Sequence, residues 1–65
     1  MITHYNLSYN QNPKHVANRV KRENKLQVVG GFCYRHDEKV SDNCTFHIWN
    51  GPTMSRAEFI EKYAD

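Results

Sequence analysis

The spacing of hydrophobic and polar positions changes period along this chain, and each change predicts an element. "ITHYNLSYN" alternates, with Tyr5, Leu7 and Tyr9 on one side and mostly polar residues on the other. That pattern predicts a half-buried strand near 2–9. "NPKHVANRVKREN" then takes helical spacing, with Asn12 as cap, Pro13 in the first turn and Asn24 as the stop of a helix over 13–24. Its apolar stripe is thin, Val16 and Val20 with Ala17 beside them, so the helix is expected at the edge of the core. "KLQVVGGFCYRH" is β-rich but interrupted by Gly30-Gly31. It reads either as one strand over 25–36 with a glycine bulge or as a hairpin of 26–29 with 32–36. "DEKVSDN" is a polar loop. "CTFHIWN" is a strand near 44–50 that sends Phe46 and Ile48 one way and Thr45, His47 and Trp49 the other.

The last element carries the fullest set of signals. After the turn residues "NGPT", Ser55 and Glu58 have capping-box spacing, and Met54 and Phe59 occupy the two positions of a hydrophobic staple. Phe59, Ile60, Tyr63 and Ala64 continue as a core-facing stripe, giving a helix over 55–64. The expected class is therefore α+β. It is a single small domain over 1–65 with an antiparallel β-sheet (strands near 2–9, 25–36 and 44–50), a short basic helix and a C-terminal helix. The expected core is Leu26, Val28, Phe32, Tyr34, Phe46, Ile48, Met54, Phe59, Ile60 and Tyr63, with Val16 and Val20 at its margin.

Size narrows the function classes. A chain of 65 residues buries only about 60% of its unfolded surface, which leaves little material for a deep catalytic pocket. The first ten residues lack the basic and apolar regions of a secretory leader, and no apolar run reaches membrane-spanning length. A cytoplasmic protein with no membrane partner is expected, and there its two cysteines would remain unbridged.

Charge adds a polarity that the formal net of +2 conceals. Residues 1–25 carry Lys14, Arg19, Lys21, Arg22 and Lys25 against Glu23 alone, a net of +4, whereas 26–65 carry four cations against six acids, a net of −2. Lys14, Asn18, Arg19, Lys21, Arg22 and Lys25 are candidate contacts to phosphates or to an acidic partner. Trp49, with Arg35 expected near it, is a candidate to stack a base or anchor a protein.

The residues richest in chemistry are Cys33, His36, Cys44 and His47, two Cys-x2-His steps separated by seven residues. Two thiolates and two imidazoles form a standard zinc set. Strand alternation opposes convergence, because residues three apart in a strand face opposite ways. In a symmetric hairpin, Cys33 would pair with His47 on one face and His36 with Cys44 on the other. Zinc binding thus requires broken strands, and intact strands imply no cofactor. Cys33 with His47 has the residue types of a nucleophile and base, and His15 or His47 those of an acid or base for RNA cleavage, as in small toxin-like folds. No orienting carboxylate or oxyanion hole accompanies them, so a non-catalytic role is expected. His4 is expected in an exposed arm.

If Gly30-Gly31 is a turn, residues 26–64 run β-β-β-α. In element order alone this resembles the three-stranded-sheet DNA-binding domains of phage integrase amino-terminal arms and plant AP2 factors. That resemblance implies a sheet face carrying Gln27, Arg35, Thr45, His47 and Trp49 against DNA. The main expectation is a small interaction module of a kind encoded by phages and mobile elements, acting as inhibitor, adaptor or regulator of a larger protein. The alternative is a DNA- or RNA-binding protein using the basic helix and outer sheet face, and a third is a small zinc-binding module.

Overall fold

The computed structural model describes residues 1–31 and 34–65. Six elements follow in the order β1 (Ile2–Asn6), α1 (Pro13–Glu23), β2 (Lys25–Gly30), β3 (Tyr34–His47), β4 (Thr53–Ser55) and α2 (Arg56–Tyr63). The α+β class and both helices match the sequence pattern. Asn12 caps α1 through its side chain, which accepts from the Lys14 N–H, and Asn24 ends it in the left-handed region at φ 56°, where Asn is tolerated.

The sheet departs from expectation in two ways. It is mixed: β1 lies parallel to β3, while β2 and β4 pair with β3 antiparallel. Parallel neighbours need a long connection, and here α1 and β2 together supply it. The polar stretch 37–43, expected as a loop, lies within the 14-residue strand β3. Polarity misled because the halves of β3 have different partners. Residues 34–39 pair with β2, whereas 45–47 are flanked by β1 and β4. Between Ile2 and His4 the β1 register jumps from Val40 to Thr45, so part of 41–44 is excess length in the ladder. The Asn43 N–H finds the Ser41 hydroxyl there, at 3.2 Å.

Gly30 is the last residue of β2 and pairs with Tyr34, while Gly31 follows it with φ +64°. Residues 25–30 and 34–39 pair antiparallel, as the hairpin alternative expected in kind, but Gly30 lies in the strand and not in a turn, and the expected strands 25–36 and 44–50 become β2 plus one long β3. Phe32, expected in the core, lies outside the described residues.

The core joins Leu26, Phe46, Met54 and Phe59 as expected, but also Ile2, Leu7, Ala17, Val40 and Cys44. Val20, expected at the margin, is fully buried, since α1 packs on both α2 and β2. Tyr34 was expected inside but is 62% exposed. It sits at the hairpin end, opposite Gly30, which offers no side chain to pack against. Tyr9 is exposed because β1 stops at Asn6 and the chain turns, with the Gln11 N–H bonded to the Ser8 carbonyl.

Ser55 caps α2, its hydroxyl accepting from the Glu58 N–H at 3.3 Å. Ser55→Ala is expected to lower stability by about 0.5–2 kcal/mol, read from the urea midpoint. An unchanged midpoint would show that the cap contributes nothing.

Candidate functional site

The candidate residues fall into three groups, and the fold separates them. On α1, Lys14, Asn18 and Lys21 stand on one face at i, i+4 and i+7, and all three engage Asp65. The Lys14 ammonium is 3.1 Å from its carboxylate, Lys21 donates to its main-chain oxygen at 2.9 Å, and Asn18 accepts its N–H at 2.8 Å. Arg19 pairs with Asp37 at 2.9 Å and Glu23 at 3.2 Å, and Arg22 lies 3.7 Å from Glu23. Burial alone would lower the Arg19 pKa, but Glu23 and Asp37 reverse that and hold it above its ordinary value. The basic helix is therefore largely paired within the molecule. Exposed pairs of this kind stabilise little, yet each must be displaced before a phosphate takes its place.

Lys25 lies directly across from Lys39, and Arg35 sits on the same face of the β2–β3 hairpin, across from Val29. None of these three has an ion-pair partner among the described residues. Arg35 also lines an open groove of about 730 Å³ bordered by β1, residues 27–29 and Glu38.

Trp49 was expected near Arg35. The two residues lie near opposite ends of the long β3, Arg35 second in the strand and Trp49 two residues past its end. A stacking surface shared by the two does not form. Trp49 instead lies beside Tyr9, ring centroids 6.1 Å apart, with the rings 63% and 77% exposed. Next to it a shallow groove of about 420 Å³ is lined by Leu7, Ile48, Trp49, His47 and neighbouring polar residues. Tyr9 belongs to this surface, although the alternation along 2–9 sets it on the same side as Tyr5 and Leu7. Its position three residues beyond the end of β1 is a tertiary fact.

The Cys-His constellation takes a different geometry from the symmetric hairpin. His36 pairs with Val28, and His47 with Asn6 and Thr53, so His36 and Cys44 are not a cross-strand pair. His36, Cys44 and His47 lie along one strand, and eight residues of extended chain separate the first two by up to about 26 Å. Among the described residues no three His, Cys, Asp or Glu side chains converge as a metal cluster. Cys33 lies outside the described residues. Cys44 is fully buried. Burial pushes its thiol pKa up, an effect that nearby Arg56 partly opposes. It is thus a thiol at neutral pH and a packing residue, not a ready nucleophile or ligand. The His36 ring lies tilted beside that of Tyr34, with centroids 5.4 Å apart, and its buried Nδ1 has no hydrogen-bond partner among the described residues.

One polar grid forms that the sequence did not indicate. Residues directly opposite in a sheet share a face, so the registers His4↔Thr45↔Ser55 and Asn6↔His47↔Thr53 make two rows on the outer side of β1, β3 and β4. Tyr5, Phe46 and Met54 occupy the inner side. His4, expected in an arm, is a strand residue whose ring lies 5.8 Å from that of His47. Thr45 and His47 do face outward as the alternation predicted.

No protein family, curated protein or solved structure matches this chain. Among the described residues no helix is long and apolar enough to cross a membrane.

Proposed function

We propose that the protein is a non-catalytic interaction module that binds a larger protein through the surface built by Tyr9 and Trp49. The observation that supports this reading is the adjacent placement of two large, exposed aromatic rings beside an apolar groove. Trp and Tyr are the residues that most often dominate binding energy at protein interfaces. The platform beneath them is firm, since Leu7 is buried and the turn carrying Trp49 is held by the Gly51 N–H to Ile48 carbonyl bond at 3.1 Å. Pairing of the α1 cations with Asp65, Glu23 and Asp37 favours this reading over binding of nucleic acid by that helix.

A nucleic-acid reading has one observation in its favour, the Lys25, Lys39 and Arg35 face of the hairpin. Two measurements separate the readings. In an affinity pull-down from native lysate with both proteins and nucleic acids identified, Trp49→Ala is expected to weaken retention of one protein by at least about tenfold. Retention should change little with salt. Polyanion binding instead weakens steeply as salt rises. Binding of that type, lost in Lys39→Glu and indifferent to Trp49→Ala, would replace the protein-binding reading.

A further inference from the structure

We propose that His4 and His47 form a binding site for a divalent first-row transition cation, copper(II) or zinc, on the outer face of the sheet. The site does not depend on the protein-binding reading and shares only His47 with the spacing motif. The register places the two histidines diagonally across β1 and β3 on one face, His4 opposite Thr45 and His47 opposite Asn6. Their ring centroids are 5.8 Å apart. A cation bound at about 2.1 Å from one nitrogen of each imidazole sets two centroids roughly 5–6 Å apart. The separation of the rings is thus compatible with one shared ion bound at a near-tetrahedral or wider angle.

The second observation concerns the orientation of His47. Its Nδ1 lies 3.2 Å from the Thr53 hydroxyl on β4. With the proton on Nδ1, the ring donates to Thr53 and its Nε2 lone pair is left for a metal. A ligating imidazole is ordinarily fixed in this way through its other nitrogen. The two ring planes are tilted by 32° to one another. Neither ring is buried, so the ion arrives without opening the core. Two protein nitrogens leave further coordination positions for water or for a donor from a partner. Such an open imidazole site favours copper(II) over zinc, following the order of affinities for nitrogen ligands.

Tag-free full-length protein titrated with copper(II) chloride or zinc sulfate, followed by calorimetry and by NMR of the imidazole resonances, tests the assignment. One equivalent of copper(II) is expected to broaden His4 and His47 before His15 or His36. Affinity should fall at least tenfold in His4→Ala and in His47→Gln, and less in Thr53→Val. His4 is exposed on an edge strand, so His4→Ala keeps the test valid if a His47 variant unfolds. Unchanged binding in His4→Ala, broadening centred on His15 or His36, or no saturable uptake of either ion would overturn the proposal.

Discussion

Phe59→Ala is expected to cost about 3–5 kcal/mol, the largest loss any single truncation on α2 would cause. Phe59 is fully buried and stacks on Phe46, with centroids 4.3 Å apart and planes within 10°. Phe46 in turn lies in register with Tyr5 on β1 and Met54 on β4. The aromatic pair therefore joins α2 to all three strands of that half of the sheet. Stability of about 0.05–0.15 kcal/mol per residue gives a chain this size about 3–10 kcal/mol in total. The substitution would remove much or all of it. Circular dichroism during urea titration should show Phe59→Ala unfolded, or with its midpoint near zero denaturant. Phe59→Leu, which fills most of the space, should remain folded with a smaller loss. A midpoint for Phe59→Ala close to that of the unmodified chain would show that the stack is not the centre of the core.

Asn24→Ala is expected to cost about 2–4 kcal/mol, more than an ordinary helix stop warrants. Asn24 adopts φ 56° and ψ 36°, and its N–H caps the Val20 carbonyl. Its carbonyl accepts from the Val40 N–H at 3.1 Å, its side-chain amide donates to the Val40 carbonyl at 3.3 Å, and its Oδ1 accepts from Arg56 at 3.1 Å. One residue thus ends α1, extends the β2–β3 ladder and ties the first residue of α2. Alanine loses roughly 1 kcal/mol by entering the left-handed region and about 1 kcal/mol for each side-chain hydrogen bond. Glycine removes the side-chain bonds but tolerates the backbone conformation. Asn24→Gly should accordingly be intermediate, at about 1–2 kcal/mol. Equal losses in the two variants would mean that the backbone conformation contributes nothing. A loss below about 0.5 kcal/mol in Asn24→Ala would mean that neither the backbone conformation nor the side-chain bonds contribute as argued.

Asn24 also shows how far local signals reach. As a helix stop it is legible, because a short polar side chain at the end of an apolar period is a local cue. Its bonds to Val40 and Arg56 are not, because those partners lie 16 and 32 residues away and nothing in the local pattern encodes them. The Asp65 contacts on α1 have the same character. The basic face of that helix reads as open until the fold brings a residue 44 positions from Lys21 against it.

Sequence alone determined what depends on near neighbours: both helices, their caps, and the outward direction of Thr45 and His47. Each follows from steric preference or side-chain period within a few residues. Tertiary structure decided the rest. Pairing with β2 on one half, and with β1 and β4 on the other, carries the polar run 37–43 through as strand. That continuous β3 separates Arg35 from Trp49 and spreads His36, Cys44 and His47 along one line. The parallel approach of β1, which no local rule specifies, instead sets His4 beside His47. A strand's period fixes which way its side chains point, but the identity of the strand beside it fixes which of them meet.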